Sequence, residues 1–205
     1  MPNFEVHTPV AAVTAAVGIA AGAIFFDWDR TDASLAFIAA LSGSLVPNLD
    51  RVEPKPRRLA SFIVGIGCAA MTVAYVTGQG RFLKRPWPAE HVALAALGAF
   101  FLFNTVFMEI IKGRTKRRGL FHSLATPFLY GGLWSCFAAG QGGRTIMAVW
   151  IFSVWGVLSH LILDAAKDFS FNPLKIAADD LAGATRLWVL TALINFLAFI
   201  RFFTF

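Results

Sequence analysis

Long apolar blocks alternate with short polar segments along almost the whole chain. Every block is long enough to form a helix, and no stretch shows the strict apolar–polar alternation that is typical of a β-strand. A helix needs about 20 apolar residues to cross the hydrocarbon core of a bilayer. The pattern therefore predicts seven helical spans. They cover residues 9–26, 33–46, 59–77, 90–111, 120–139, 145–166 and 184–203.

Proline positions suggest where the first two spans begin and end. Thr8 and Pro9 are suited to an N-cap and a first-turn proline, so the first helix is expected to start there. The second span stops at Pro47 and is the shortest of the seven. Two arrangements stay open for this short span: it crosses the membrane at a tilt, or it is re-entrant.

Composition supports a membrane protein. Hydrophobic residues make up 57% of the 205 residues, charged residues make up 15%, and the mean hydropathy is +0.65. A soluble domain carries about 25% charged residues. The predicted fold class is therefore all-α, a polytopic integral membrane bundle of about six or seven transmembrane helices in one domain, residues 1–205. Glu5 and the lack of basic residues near the N-terminus argue against a cleavable signal peptide.

The loops between the spans differ in charge. If all seven spans cross, the loops that share a side with the N-terminus carry about 12 of the 18 Lys and Arg residues, and the opposite side carries about six. The positive-inside rule then places the N-terminal side in the cytoplasm. This asymmetry accounts for most of the basic pI of 9.8, and no nucleic-acid-binding motif is present. The expected partners are membrane lipids, with a partner protein or a homo-oligomer also possible.

Histidine and aspartate residues gather on the predicted cytoplasmic side. His160 and Asp164 are four residues apart, so they share one face of the sixth span near its end. His7 precedes the first span, Asp50 follows the second, and His122 opens the fifth. Ionisable residues inside a membrane are costly and usually functional. The pattern predicts that these five residues approach one another at one end of the bundle.

Imidazoles combined with carboxylates favour a divalent transition metal. Zinc is the first choice, and manganese or iron would also suit such ligands. A metal site with an open position activates water, and a carboxylate that does not bind the metal, from Asp50 or Asp164, could act as a general base. A simpler interpretation stays open, in which His160 and Asp164 form a hydrogen-bonded pair that joins helices. His91 lies on the opposite side and is interpreted as interfacial.

Four short motifs, in order, resemble those of the YdjM-like membrane-bound metal-dependent hydrolases of bacteria and archaea. They are HT near the N-terminus, GSLVPNLD, RRGLFHS and GVLSHLILD, and together they extend from residue 7 to residue 164. The family pattern is an N-terminal His, P-D-x-D, H-R-G-x-x-H-S and G-x-x-S-H-x-x-x-D. The resemblance implies a multi-pass protein of the bacterial or archaeal cytoplasmic membrane.

The resemblance also implies roles for particular residues. The expected metal ligands or their near neighbours are His7, Asp50, His122, His160 and Asp164. Arg118, with Ser123 and Ser159, matches family positions beside the histidines. Two positions depart from the family pattern, because Asn48 replaces an Asp and Arg117 replaces a His.

The function expected from these observations is metal-dependent hydrolysis of a lipid ester or phosphoester near the cytoplasmic interface. Arg117 and Arg118 would clamp an anionic, phosphate-bearing substrate, since guanidinium forks match phosphate oxygens. The alternative is a non-catalytic accessory or scaffold protein with a relic or structural His/Asp cluster. A transporter is less favoured, because transporter sites usually lie near the membrane midplane.

Overall fold

The computed structural model describes residues 4–50, 54–82, 87–114, 120–167 and 181–204. These residues form no strand and seven helices, if α4 and α5 below are counted as one continuous helix. The prediction of an all-α protein is confirmed. The helices are α1 (Phe4–Phe25), α2 (Arg30–Leu45), α3 (Pro54–Phe82), α4 (Ala89–Leu102), α5 (Met108–Arg114), α6 (Ala125–Ala138), α7 (Gly143–Lys167) and α8 (Leu181–Thr204). A π-helical turn, Phe103–Phe107, joins α4 and α5 into one continuous helix, and 3-10 turns occupy Val46–Asp50 and Leu120–His122.

Five segments of the described chain are long and apolar enough to cross a membrane. They are Val6–Phe25, Arg30–Leu49, Lys55–Gly78, Ala89–Ile111 and Gly143–Ala166. A shorter apolar segment, Thr185–Ile200, lies in α8. Large apolar side chains such as Ile24, Leu94 and Phe203 are well exposed on the outer faces of the bundle. Exposed apolar surface on this scale is unusual for a soluble monomer and marks a surface that is covered by lipid or protein.

The first helix begins earlier than predicted. α1 starts at Phe4, and Pro9 lies inside it rather than at its first turn. Proline removes one backbone N–H but has a φ angle that suits a helix, so the turn before Pro9 can form at the cost of a single hydrogen bond. As a result His7 is a helical residue on α1 instead of part of an extended tail, and its side chain is fully buried.

The second helix is longer than its predicted range of 33–46. Asp29 caps α2 and accepts hydrogen bonds from the backbone N–H groups of Thr31 and Asp32, while the Asp32 carboxylate accepts from the N–H of Asp29. This reciprocal cap starts the helix inside the polar segment DWDRTD, which the apolar pattern assigned to a loop. Together with the 3-10 turn after Leu45, the helical segment extends over Arg30–Leu49, a length of 20 residues.

The fifth predicted span, residues 120–139, contains a shorter helix than predicted. The Leu120–His122 turn stands apart from α6, which contains 14 residues. α6 ends where Gly140 takes a φ of 91°, and a Cβ at Gly140 would meet the backbone of Gly78 at 2.9 Å. Glycine is therefore required to end the helix against α3.

α2 and α7 form the central pair of the bundle. A Cβ added to Gly43 would lie 2.9 Å from the carbonyl oxygen of Ser153, so the two backbones approach very closely. Small residues at helix contacts of this kind are typical of membrane bundles. The end of the pair is sealed by an apolar core that includes Leu45, Leu49 and Leu161. This packing holds the C-terminal turns of α2 and α7 side by side, next to the first turn of α1.

Candidate metal centre

Four buried polar residues converge at one end of the bundle. His7 comes from the first turns of α1, His122 from the 3-10 turn before α6, and His160 and Asp164 from α7. We refer to these four residues as the His/Asp cluster. His7 and His160 are 0% exposed, and His122 and Asp164 are each 6% exposed. Ionisable groups at this degree of burial require charge partners or a bound cation.

Asp164 is the hub of the His/Asp cluster. Its Oδ1 lies 3.4 Å from Nε2 of His7, and its Oδ2 lies 3.5 Å from Nε2 of His122 and 3.5 Å from Nε2 of His160. The same nitrogen of each imidazole therefore faces the same carboxylate. All three separations exceed the 2.7–3.2 Å of a good N–H···O hydrogen bond. The four residues are near one another without being tightly hydrogen-bonded through these atoms.

The imidazole rings are also close together. The ring centroids of His7 and His160 are 4.2 Å apart, and those of His122 and His160 are 6.0 Å apart. Ligand atoms of His7, His160 and Asp164 all lie within 4.8 Å of one another, so this group could hold a metal ion. α1, the 3-10 turn and α7 are far apart in sequence, and their ends meet at a single centre.

The tautomer of His160 follows from its second ring nitrogen. Nδ1 of His160 lies 2.7 Å from the backbone carbonyl oxygen of Ser44 on α2. A carbonyl oxygen only accepts, so Nδ1 must carry the hydrogen. In the neutral imidazole, Nε2 then has a lone pair and no hydrogen, and it makes no hydrogen bond among the described residues. Metal-binding histidines characteristically donate their other N–H to such a carbonyl or to a carboxylate.

The separations within the His/Asp cluster fit a metal ion. Zinc binds imidazole nitrogen and carboxylate oxygen at about 2.0–2.2 Å in tetrahedral geometry, which places neighbouring ligand atoms about 3.3–3.6 Å apart. The distances from His7 Nε2 to Asp164 Oδ1 and from His160 Nε2 to Asp164 Oδ2, 3.4 and 3.5 Å, fall in that interval, although they involve different oxygens of the carboxylate. A metal ion bound to Nε2 of His160 would pair with the buried lone pair of that nitrogen. The donor set of imidazoles and one carboxylate is suitable for zinc, iron or manganese.

The remaining predicted site residues are placed as follows. The backbone of Asp50 ends the Val46–Asp50 turn, and its side chain lies outside the described part of the chain. Arg117 and Arg118 fall in residues 115–119, which also lie outside it. Ser123 follows His122 in the sequence and is buried. Its Oγ is 3.1 Å from Oγ1 of Thr126. His91 is exposed on α4, as its interpretation as an interfacial residue implies.

Two further residues define the surroundings of the site. Asn48 is fully buried in the Val46–Asp50 turn, and neither its amide nitrogen nor its amide oxygen has a hydrogen-bond partner among the described residues. Ser159 donates to the carbonyl oxygen of Gly156 one turn earlier, so its hydroxyl is used within α7. Ser44 was not a predicted site residue. The proline alone does not identify it, because in an α-helix Pro47 would leave the carbonyl of Gly43 without its donor; Ser44 follows only from the i+3 pattern of the 3-10 turn that the structure shows.

Comparisons of the chain with protein-family profiles, with curated proteins and with solved structures found no match.

Proposed function

We propose that this protein is an integral membrane, metal-dependent hydrolase whose metal is bound by the His/Asp cluster near the cytoplasmic interface. The proposed substrates are lipid esters or phosphoesters. The proposal rests on the geometry of four buried residues and on the apolar helices around them. The motif resemblance to YdjM-like hydrolases agrees with both and belongs to the same proposal.

The observation that carries the proposal is the contact between His160 and Asp164. Nε2 of a neutral His160 bears a lone pair, because Nδ1 donates to Ser44, and it faces a carboxylate oxygen at 3.5 Å. Two acceptors in a buried site repel each other unless a cation lies between them. That cation is either a proton, which would make His160 an imidazolium, or a metal ion. The metal is favoured because ligand atoms of His7, His160 and Asp164 all lie within 4.8 Å of one another.

The ends of the helices support the proposed location in the membrane. His7 lies in the first turns of α1, and Asp164 lies in the last turn of α7, so the cluster sits at a bundle end rather than at its centre. The loops on that side carry most of the Lys and Arg residues. We therefore assign this end to the cytoplasmic side. A site at this depth meets the ester and phosphate groups of lipids, which lie at the same level of the bilayer.

Each part of the proposed chemistry is assigned to particular residues of this chain. His7, His160 and Asp164 would hold zinc, with manganese or iron as the alternatives and His122 as a neighbour, so that a fourth position stays open for water. Bound zinc supplies Lewis acidity and lowers the pKa of water to about 7. Asp50 is proposed as the general base, and Arg118 with Arg117 as the clamp for an anionic phosphate. Asn48 is uncharged, so the site has fewer carboxylates than the family pattern, and a single metal is proposed.

A second candidate function is favoured by the burial of the cluster. Structural zinc sites are closed, whereas catalytic sites keep a position open to water or substrate. With His7 and His160 at 0% exposure, the described residues enclose the site tightly. The protein would then be a non-catalytic accessory or scaffold protein in which the metal joins α1, the His122 turn and α7.

Metal analysis of the protein purified in detergent tests the proposal. We expect about one zinc per chain in the wild type and in His91→Ala, an exposed control histidine. We expect its loss in His160→Ala and in Asp164→Ala. Each form is then assayed on a panel of phospholipids, lipid esters and phosphomonoesters. Turnover that disappears with the metal supports the hydrolase.

The other results identify the alternatives. Bound metal without turnover on any member of the panel would favour the structural candidate. A wild-type protein that binds no zinc, manganese or iron at saturating concentration would leave a proton as the cation between His160 and Asp164, and both metal proposals would fall.

A further inference from the structure

The end of α2 contains a backbone carbonyl that the helix itself does not use. α2 ends at Leu45 and tightens into the 3-10 turn Val46–Asp50. In a 3-10 turn each carbonyl accepts from the N–H three residues later. The residue three positions after Ser44 is Pro47, which has no N–H. The i+3 donor that the Ser44 carbonyl requires is therefore missing by sequence.

The tight turn also removes the alternative donor. In a continuing α-helix, the N–H of Asn48 would bond to the Ser44 carbonyl four residues earlier. In a 3-10 arrangement that N–H would bond one residue later, to Leu45, and the tightening is already present at Val46, whose N–H bonds three residues back to Gly43. An unpaired carbonyl in a buried position costs about 1–3 kcal/mol. Ser44 is fully buried, so its carbonyl needs a donor from another part of the fold.

His160 of α7 supplies that donor. Its Nδ1 lies 2.7 Å from the Ser44 oxygen, and its ring is held between the ends of α2 and α7. Pro47 is itself fully buried, so the turn that exposes the carbonyl is fixed by packing. The hydrogen bond sets both the tautomer and the orientation of the ring, since it leaves Nε2 as the free nitrogen directed at Asp164.

We propose that Pro47 and the backbone carbonyl of Ser44 are positioning elements that fix His160 with its hydrogen on Nδ1 and direct Nε2 to the centre of the cluster. This inference rests on the proposed metal site for its functional meaning, but its structural content does not require a metal. Pro47 creates the acceptor, Ser44 presents it, and α7 carries the donor. The preformed lone pair then binds a cation without a change of tautomer.

Nuclear magnetic resonance of metal-free protein labelled with 15N-histidine tests the inference directly. The proton on Nδ1 of His160 is observed through its one-bond coupling to 15N, and His160→Asn identifies the signal. We expect this proton to be present and slowly exchanging in the wild type. In Pro47→Ala, the new backbone N–H of residue 47 competes with His160 for the Ser44 carbonyl. The Nδ1 proton should then exchange several-fold faster or move to Nε2. Pro88→Ala, at the exposed start of α4, is the matched proline control and should resemble the wild type.

Metal affinity provides the second readout. Loss of a partner that orients a ligand histidine typically weakens metal binding about 10- to 100-fold. We expect a weakening of that size for zinc in Pro47→Ala and no change in Pro88→Ala. If the Nδ1 proton is as expected but no metal binds, the proposed function fails and the positioning of His160 stands.

Two results would overturn the inference itself. One is an unprotonated Nδ1 in the wild type, and the other is an Nδ1 proton that is unchanged in a folded Pro47→Ala variant. If Pro47→Ala does not fold, a pair of substitutions at His160 replaces it. The Asn amide in His160→Asn can reproduce the Nδ1 donor, whereas the amide in His160→Gln lies one carbon farther out. Metal-free His160→Asn should therefore unfold at a higher temperature than His160→Gln, and the reverse order would contradict the proposal.

Discussion

Gly156 of α7 lies directly against the backbone of Ala40 on α2. A Cβ at Gly156 would clash with the carbonyl oxygen of Ala40 and would lie 2.9 Å from its carbonyl carbon. The two helices can approach this closely only because residue 156 has no side chain. Gly156 lies one turn before His160. The contact therefore sets the spacing of α2 and α7, and His160 reaches Ser44 across that same spacing.

Gly156→Ala should destabilise the protein. The added methyl group meets backbone, which cannot rotate away, so α2 and α7 must separate; overpacking of this kind costs about 1–3 kcal/mol. Gly98→Ala is the matched control, since a Cβ at Gly98 of α4 meets nothing within 4 Å. The free energy of unfolding of both variants is measured in mixed detergent. Equal stability of the two variants would contradict the close contact.

If the His/Asp cluster binds a metal ion, as proposed, removing that ion should lower the stability of the wild type. A ligand that binds only the folded state at 100 times its dissociation constant stabilises it by about 2.7 kcal/mol. We therefore expect a chelator to lower the melting temperature of the wild type and of His91→Ala, and to leave Asp164→Asn unaffected. A chelator effect of equal size in Asp164→Asn would show that the stabilising metal binds elsewhere.

Asn195 should be the residue that attaches α8 to the bundle. Its amide nitrogen donates to the carbonyl oxygen of Phe128 on α6, and its amide oxygen accepts from Nε1 of Trp150 on α7. Interhelical hydrogen bonds in membranes average about 0.6 kcal/mol and reach about 1.7 kcal/mol. Asn195→Leu breaks two of them, so we expect a loss of about 1–3 kcal/mol of unfolding free energy.

The control for Asn195 is Thr105→Val. Thr105 is exposed and its hydroxyl bonds only within its own helix, to Phe101. Its substitution should leave stability unchanged, and metal content should remain normal in both variants. An Asn195→Leu protein as stable as Thr105→Val would show that the hydrogen bonds of Asn195 contribute nothing.

Asp32 should stabilise the end of the bundle opposite the His/Asp cluster. Its carboxylate accepts from the backbone N–H of Asp29 and from the hydroxyl of Thr145 on α7, and it is 2% exposed. Asp32→Ala removes half of a capping box and leaves the buried Thr145 hydroxyl without this acceptor, which together cost about 1–3 kcal/mol. Thermal unfolding measures the loss.

Asp27→Asn is the matched control for Asp32→Ala. Asp27 is exposed and adopts a φ of 57°, a conformation that Asn tolerates well. Its backbone oxygen accepts a hydrogen bond from Arg144, and no contact of its side chain appears among the described residues. The Asp27→Asn variant should be as stable as the wild type. If Asp32→Ala were equally stable, the buried carboxylate of Asp32 would have no stabilising role.

Local sequence signals predicted the helices but missed several of their ends. Hydropathy located all seven helices, because an apolar block needs only its own residues to be recognised. The start of α2 was missed because the Asp29–Asp32 cap lies in a segment that is polar throughout. The start of α1 was misplaced because Pro9 was interpreted as the first turn, whereas the helix forms one turn before it.

The sequence by itself determined that the chain is helical and that its helices are apolar. It also predicted that the unusual histidines and aspartates lie near the span ends that share one side of the bundle. Only the tertiary structure decided that Asp164 is the common partner of His7, His122 and His160, and that Ser44 orients His160. The physical reason is the range of the interactions. Hydropathy and helix periodicity depend on near neighbours in the chain. The cluster depends instead on contacts between residues far apart in sequence, from His122 and Asp164, 42 positions apart, to His7 and Asp164, 157 positions apart.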